Sequence, residues 1–362
     1  MAFPSSARLT IDLGALAHNY GVLRDQAPGA EAAPVVKADG YGLGIGPIGR
    51  RLWAEGARSF FVARLTEGEA LRDALGPARP ATLYVLDGLT SGTAARLAAA
   101  GLTPALTSVP QIEAAGSFAA AQGHPLPVAL HIDTGMNRQG ITPDQAHALA
   151  QTPDRLAHLQ IGLVMSHLGS APEPASPRNR QQLDRFGDVR GLFPQARASL
   201  AASAGIFLGS DYHFDMVRPG VSLYGGGPEE RPDPRLRAVA TLEAPILDIR
   251  NIQAGETVGY GSSRVVTRPT RVAVVAAGYA DGLVRAAKAT GQAWFSGTHR
   301  PILIITMDLI VVEIGDTPAQ LGEMIELMGQ HAHIDDLAAA AGTVAHECLV
   351  RLSPRAERIY LG

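Results

Sequence analysis

One lysine in this sequence ends a short apolar segment and is followed at once by a glycine-rich turn. Apolar residues occupy positions 34–36 before Lys37, and Ala-Asp-Gly-Tyr-Gly follows at 38–42. Loops that follow strands carry the chemistry of many β/α proteins. Because burial penalises an ammonium group, a lysine at the mouth of an apolar barrel has a lowered pKa, and its amine can condense with an aldehyde. Lys37 is therefore a candidate nucleophile, although a lone lysine is usually a solvated one.

Polar residues also follow four other apolar segments. They occupy His131–Arg138, Ser166–Gly169, Ala202–Gly205 and Val217–Gly225. In a β/α barrel, the loops after strands seven and eight often bind a phosphate through backbone N–H groups and a small hydroxyl. Ser203, Gly220 and Val221 are placed for that role, and a phosphate beside a reactive lysine indicates pyridoxal phosphate. Each residue is a weak signal alone, since a single histidine such as His167 is more often a hydrogen-bonded core residue.

The elements that must position these residues alternate between strand and helix patterns. Short apolar runs occur at Pro34–Lys37, Ser59–Ala63, Ala81–Leu86, Thr103–Leu106, Pro127–Ile132, Gln160–Met165, Ala198–Ala201 and Met216–Leu223. Helical patterns lie between most of them, which predicts a (β/α)8 TIM-like barrel over residues 1–230. A doubly wound open sheet is the alternative. No G-x-G-x-x-G opens a helix after the first strand, which weakens that alternative.

The sequence changes in character after residue 230. Residues 226–234 are polar and rich in glycine and proline, as in a domain boundary. Closely spaced apolar runs then follow, with glycine-containing turns between them and one helical pattern near Asp335–Ala341. This pattern of short apolar runs and turns predicts a mainly-β domain over residues 231–362.

Composition argues against several classes of protein. The net charge of −3 is not that of a nucleic-acid-binding surface. No apolar run approaches the ~18 residues of a membrane span. The single cysteine, Cys348, cannot form an internal disulfide, which fits a reducing cytoplasm. His331 and His333 have no obvious third ligand, so no metal site is predicted.

Taken together, these motifs resemble those of the alanine racemases, pyridoxal-phosphate enzymes of fold type III. The family's lysine motif reads Val-Val-Lys-Ala-Asp-Gly-Tyr-Gly-Leu-Gly at 35–44, and its Asp-Thr-Gly-Met-x-Arg-x-Gly spans Asp133–Gly140. Further matches follow in the family's order at Met165–Leu168, Arg218–Gly220, Val258–Gly261, Gly278–Gly282 and Met307-Asp308. Any one motif would be weak, but their joint order along the whole chain is specific.

The resemblance implies how the cofactor is held. Lys37 would bind pyridoxal phosphate covalently. The phosphate would be held by Tyr41, Ser203, Gly220 and Val221. Arg218 would face the pyridine nitrogen and keep it unprotonated, since an arginine side chain stays charged. His167 would lie with Arg218 behind the second base.

The resemblance also implies the substrate site and the mechanism. Racemisation needs a base on each face of a planar carbon. Lys37 would serve one face and Tyr260, contributed by the partner subunit, the other. Residues expected to contact the substrate or its entrance are Arg138, Met307, Asp308 and Tyr279. The implied enzyme is a homodimer with shared sites that interconverts L- and D-alanine and supplies D-alanine for peptidoglycan.

Other functions on the same scaffold are weighed against this one. A broader-specificity racemase, acting on serine or other amino acids, differs only in the size of its pocket. A pyridoxal-phosphate-binding homeostasis protein lacks a second domain, so the predicted β domain argues against it. The related decarboxylases use an acidic residue at the pyridine nitrogen, and Arg218 argues against that chemistry.

Several positions depart from the family's commoner pattern. His131 stands where many members have a lysine, which is carbamylated in some and supports the arginine equivalent to Arg138. A histidine cannot carry a carbamate. The remaining departures are Leu43 for a histidine, Ala202 for an asparagine, Leu303 and Ile304 for Gly-Arg, and Pro354 for a tyrosine. None of them removes the two bases.

Overall fold

The structure is a computed structural model that describes residues 6–262 and 264–362. It divides into two compact units. One is Asn19–Leu223, and the other combines the described residues of Met1–His18 with Tyr224–Gly362.

In chain order the strands are β1 (Arg8–Asp12), β2 (Glu31–Ala32), β3 (Ser59–Val62), β4 (Thr82–Val85), β5 (Leu102–Leu106), β6 (Leu126–His131), β7 (Leu159–Met165), β8 (Arg197–Ser199), β9 (Met216–Val217), β10 (Ala240–Ile252), β11 (Thr257–Val258), β12 (Arg264–Val265), β13 (Thr270–Val275), β14 (Gln292–Phe295), β15 (Thr298–Ile305), β16 (Ile310–Glu313), β17 (Met324–Met328) and β18 (Glu357–Leu361). The helices are α1 (Leu13–Gln26), α2 (Lys37–Tyr41, a single turn), α3 (Ile45–Ala54), α4 (Leu65–Leu75), α5 (Ala94–Ala99), α6 (Val109–Gln122), α7 (Pro143–Ala150), α8 (Pro177–Arg190), α9 (Ser203–Ile206), α10 (Ile334–Ala341) and α11 (Ala345–Val350).

The first unit is a closed parallel barrel. Strands β3 to β8 pair in sequential order, and β2 pairs with β9. Single parallel bridges, Val35 to Phe61 and Ala202 to Arg218, join these two sheets into a ring of eight strand positions. The predicted (β/α)8 barrel is thereby confirmed.

The two strands that close the barrel differ from the predicted ones. In place of Pro34–Lys37 the regular strand is β2, which ends two residues earlier than this range begins, and Lys37 opens α2. The predicted strand Met216–Leu223 is shortened to β9. Pro34 and Pro219 lack the N–H that a ladder needs, so beyond β2 and β9 pairing continues only as isolated bridges.

The second unit is built around an antiparallel barrel. The ring runs β10-β13-β16-β15-β14-β17 and returns to β10, with every pairing antiparallel. The predicted mainly-β domain is confirmed. Strands β11 and β12 form a separate two-stranded hairpin, and Tyr260 lies between them.

The N-terminal segment belongs to this second unit. Strand β1 pairs antiparallel with β10 and parallel with β18, and its Leu9 and Ile11 are fully buried. The chain therefore divides after Leu223 and also after His18, whereas the sequence suggested one boundary at 230. The difference arises because strand pairing between distant segments leaves no local signal.

The structure also bears on three expectations from the composition: the membrane span, the single cysteine and the histidine pair. The structure has no helix, within its described residues, that is long and apolar enough to cross a bilayer. Cys348 is buried, and burial raises the pKa of its thiol to about 11. His331 stacks on Trp294 and its Nδ1 lies 2.9 Å from Glu326.

A buried carboxyl ties the segment after residue 224 to α10. Oδ2 of Asp335, which is 3% exposed, accepts a hydrogen bond of 2.9 Å from the N–H of Gly227. Burial raises the pKa of Asp335 from 3.8 to about 6, and the Gly227 N–H only partly offsets this. Between about pH 4 and pH 6 the folded protein holds a proton that the unfolded chain releases, so the contribution of Asp335 to the free energy of unfolding falls as pH rises through that window.

We expect Asp335→Asn, which cannot ionise, to raise the free energy of unfolding by about 1–3 kcal/mol at pH 7 and to have little effect near pH 4. Urea denaturation across this pH range measures the difference. Asp316→Asn removes an exposed carboxyl that does not contribute to the pKa shift of Asp335 and is the matched control. If both variants respond equally to pH, Asp335 is not the group responsible.

Candidate active site

Lys37 opens a backbone turn of unusual hand. Residues Ala38–Gly42 all have positive φ, between 54° and 80°. The left-handed conformation costs a non-glycine residue roughly 1–2 kcal/mol. This strained turn therefore persists only if its surroundings hold it in place. Hydrogen bonds do so: the N–H of Gly42 donates to the carbonyl of Ala38 at 2.7 Å, and the N–H of Ile45 donates to Oδ1 of Asp39 at 2.7 Å.

Glu67 braces the same turn from α4. Its Oε1 accepts from the N–H of Ala38 at 2.8 Å, and its Oε2 accepts from the N–H groups of Ala63 and Arg64 at 2.8 and 3.1 Å. One carboxylate thus joins the segment after Lys37 to the end of β3. Glu67 was not among the residues predicted from the sequence. Its signal is a glutamate three residues into a helix start, as in a capping box.

The amine of Lys37 lies in a partly buried, positively charged environment. Burial lowers its pKa, the nearby Arg138 lowers it further, and Glu67 partly opposes both. Within the described residues, neither the Nζ of Lys37 nor the guanidinium of Arg138 donates a hydrogen bond to the protein. Two nitrogen donors in one electrostatic neighbourhood are therefore left for a ligand, and the predicted nucleophile has the environment that favours a neutral amine.

Arg218 is a buried cation that has no carboxylate partner among the described residues. It is 3% exposed, and its guanidinium donates to the Oγ of Ser199 and the carbonyl of Ser166, both at 2.5 Å, and to the carbonyl of Leu200 at 3.2 Å. Burial lowers its pKa to about 9, which leaves it protonated at neutral pH. All of these acceptors are neutral, so the site keeps a net positive potential.

The two histidines of the site are held neutral. Burial lowers the pKa of His131 to about 4 and that of His167 well below 6.5, and the positive charges of Arg218 and Arg138 act in the same direction. The Nδ1 of His167 lies 3.5 Å from a guanidinium nitrogen of Arg218. The Nδ1 of His131 is buried and has no hydrogen-bond partner in the part of the chain that the structure describes.

Ser203 organises the turn that follows β9. Its Oγ accepts from the N–H of Gly220 at 2.8 Å and from that of Ser222 at 3.2 Å. A Cβ at Gly220 would lie only 2.5 Å from the hydroxyl oxygen of Tyr41, so only glycine allows this approach. Val221 begins the next helical turn and is buried. The four residues predicted to hold a phosphate are thus neighbours.

Arg138 is presented by a turn that Asp133 shapes. The Oδ1 of Asp133 accepts from three successive N–H groups, those of Gly135, Met136 and Asn137, at 2.8, 2.8 and 3.1 Å. Partial burial opposes ionisation of Asp133, but these donors outweigh it and hold its pKa below the ordinary value.

The remaining predicted residues line a concavity of the second unit. Its volume is about 450 Å³, and its walls include Tyr260, Tyr279, Met307 and Asp308. Tyr260 is 81% exposed. A Cβ at Gly278 would lie 2.3 Å from the carbonyl oxygen of Met307, which explains the glycine before Tyr279.

Arg355, which sequence reasoning also missed, fixes one wall of this concavity. It binds both carboxylate oxygens of the buried Asp281, at 2.9 and 3.1 Å, and donates to Asp308 at 2.6 Å. Asp281 in turn accepts from the N–H of Gly278 at 2.8 Å. The segment that carries Tyr279 is therefore anchored to the one that carries Asp308.

The structure groups the predicted residues into two sets. Within the first unit, Lys37, Arg138, His131, His167 and Arg218 share one electrostatic environment. Tyr260, Tyr279, Met307 and Asp308 share the concavity of the second unit. The first set can bind an anionic ligand that carries an aldehyde, and the second offers an exposed phenol.

Two family models match this chain in succession. Alanine racemase, N-terminal domain, matches residues 11–228, and alanine racemase, C-terminal domain, matches residues 239–360. The chain is also 42% identical over 362 residues to an alanine racemase of Methylobacterium sp. (strain 4-46), a match that covers 99% of this chain and 98% of the relative. The chain belongs to the alanine racemase family.

Two further similarities support the family's identity. A catabolic alanine racemase of Agrobacterium fabrum is 40% identical, with 99% of this chain and 92% of the relative covered. The crystal structure of alanine racemase from Bartonella henselae with covalently bound pyridoxal phosphate has a TM-score of 0.93 at 35% identity, covering 99% of this chain and all of that one. The predicted family, fold class and enzyme class, an isomerase, are confirmed.

Proposed function

We propose that this racemase interconverts L- and D-alanine with pyridoxal phosphate bound to Lys37. The observation that carries the proposal is the environment of that amine. Lys37 is partly buried beside Arg138, has a lowered pKa and donates no hydrogen bond to the described residues. A neutral amine in a positively charged site suits attack on the aldehyde of an anionic cofactor.

The residues present fit the cofactor's other groups. The Ser203 hydroxyl accepts from the N–H groups of Gly220 and Ser222, which leaves its own proton to donate, and the buried Tyr41 hydroxyl lies beside Gly220. These neutral hydroxyl donors would bind a phosphate dianion. Arg218 would face the pyridine nitrogen. Because its guanidinium is charged and its acceptors are neutral, it would disfavour protonation of that nitrogen. When bound, the cofactor supplies an aromatic system that withdraws electrons from the substrate's α-carbon.

Two bases then move the α-proton. The Nζ of Lys37 would take or return it on one face, and the hydroxyl of Tyr260 would do so on the other. A phenol needs stabilisation of its anion to act near neutral pH, since its reference pKa is ~10. Arg218, with the neutral His167 beside it, would supply positive potential for that anion. Arg138 would orient the substrate carboxylate.

Tyr260 would serve the site of a second copy of the chain. Its side chain is almost fully exposed in the concavity that also contains Tyr279, Met307 and Asp308. An exposed tyrosine among apolar and polar neighbours suits a surface covered by a partner. The proposed active enzyme is therefore a homodimer with two shared sites, into which alanine enters between Tyr260 and Tyr279.

The metabolic role stays a prediction. Supply of D-alanine for peptidoglycan, in the cytoplasm, is the role we favour. One similar relative is described as catabolic, so consumption of D-alanine is the second candidate. A deletion strain decides between them: a requirement for added D-alanine supports the first role, and failure to grow on D-alanine alone supports the second.

Replacing Tyr260 with phenylalanine should separate the two bases. Because the enantiomers have equal free energy, kcat/KM must fall equally in both directions. Exchange of the α-proton with deuterated water is measured instead. In Tyr260→Phe, Lys37 can still exchange the proton of one enantiomer, whereas exchange of the other should fall by at least ~100-fold, the lower end of the range for a lost general base. Equal losses for both enantiomers would contradict the two-base assignment.

Mixing two inactive variants tests the shared site. Lys37→Ala and Tyr260→Phe chains should each have little activity alone. After unfolding and refolding together, a mixed dimer contains one site with both bases, so activity should return to roughly a quarter of the wild-type value for random pairing of subunits. If both bases of a site came from one chain, mixing would restore nothing.

The enzyme should need no carbamate. His131 occupies the position of the lysine that some members carbamylate, and it is buried and neutral. Exhaustive removal of CO2 should therefore leave kcat unchanged. His131→Lys, which introduces an amine, is the control in which added bicarbonate can alter the rate. A wild-type loss that bicarbonate restores would refute this prediction.

A further inference from the structure

One face of α8 reaches both loops that carry the site's charged residues. Arg178, Gln182 and Arg185 recur every three or four residues and therefore lie on one side of the helix. Arg178 donates to the carbonyl of Gly135 at 2.7 Å, and Arg185 donates to that of Thr134 at 3.2 Å. These bonds hold the loop after β6, from which Arg138 extends.

Gln182 connects this loop to the one after β7. Its side chain is buried, with the whole residue 1% exposed. Its Oε1 accepts from the N–H of Gly169 at 2.8 Å, and its Nε2 donates to the carbonyl of His167 at 2.9 Å and to the Oγ1 of Thr134 at 3.3 Å. The side chain thus uses its acceptor and both of its N–H donors.

The connection continues to Arg218. The Oγ1 of Thr134 lies 2.8 Å from the Oγ of Ser166, and the carbonyl of Ser166 accepts from Arg218 at 2.5 Å. His167, whose carbonyl Gln182 binds, has its Nδ1 3.5 Å from the same guanidinium. A continuous hydrogen-bonded network therefore runs from Gln182 to the cation of the site.

We propose that Gln182 is a positioning residue for the racemase reaction. It fixes the distance between the loop that presents Arg138 and the loop that presents His167, and through Ser166 it fixes the direction of Arg218. Among side chains of this length, only glutamine offers one acceptor and two donors in a single plane. The inference rests on the proposed function, because it assigns these residues to proton transfer.

A second buried amide on α8 provides a matched control. Asn179 is 2% exposed and donates to the carbonyls of Ser170 and Glu173, at 3.2 and 3.0 Å. It holds the loop beyond Gly169 but none of the residues in the network. Asn179→Ala and Gln182→Ala each remove buried hydrogen bonds from the same helix, so both should lower thermal stability.

Catalysis should distinguish the two variants. In the holoenzyme, Gln182→Ala should lower kcat for alanine by about 10–100-fold, because small misplacements of catalytic groups are costly. It should also change the visible absorption spectrum of bound pyridoxal phosphate, which reports the surroundings of the ring. Asn179→Ala should leave kcat and the spectrum close to wild type.

Gln182→Glu is a second variant that tests the same inference if the alanine variant aggregates. It retains the acceptor for Gly169 and loses the donors to His167 and Thr134, so kcat and the spectrum should change in the same direction. The exposed Gln181→Glu adds the same charge outside the network. The inference is overturned if the Gln182 variants keep kcat and the spectrum, or if the control variants change them equally. Failure of the wild-type protein to bind pyridoxal phosphate or racemise alanine would instead count against the proposed function.

Discussion

The electrostatic potential of the first unit's polar site depends on one buried cation, Arg218. Its guanidinium is removed from water, and its partners within residues 6–262 and 264–362 are neutral oxygen atoms and a neutral imidazole. Such a group is tolerated because several well-placed acceptors replace its hydration, and its charge remains uncompensated. That charge lowers the pKa of His131 and His167 beyond the effect of burial. A site of this potential favours phosphate, carboxylate and phenolate groups, all of which the proposed reaction contains.

The two units hold their proposed site residues by different means. In the barrel, loops at the ends of parallel strands are braced by side chains from neighbouring helices, Glu67 on α4 and Gln182 on α8. In the second unit, one arginine, Arg355, anchors the segments that carry Tyr279 and Asp308. Both devices use fully bonded polar groups, which fix geometry more sharply than apolar contacts do.

Much of the fold could be predicted from the sequence, and the site could be predicted in part. The interior strands of the barrel were found because each is a short apolar run bounded by turn residues, and β6 begins within one residue of its predicted start. Motifs located Lys37, Arg138 and Arg218 because their residue types follow strand ends. The pairing of β1 with β10 and β18 could not be predicted, since each strand is locally ordinary and its partner is distant. The left-handed turn at Ala38–Gly42 was also hidden, because alanine, aspartate and tyrosine rarely adopt it. Gln182 reads as a solvated helix residue, and only tertiary packing buries it.

The placement of β1 has a consequence for the order in which the protein is assembled on the ribosome. This strand precedes the whole of Asn19–Leu223 in the chain, yet its antiparallel neighbour begins at Ala240 and its parallel neighbour begins at Glu357. Asn19–Leu223 can emerge and become compact while β1 still lacks every strand it pairs with. The second unit therefore closes only after β18 has been synthesised, and until then the apolar Leu9 and Ile11 lack a strand that they pair with in the native fold.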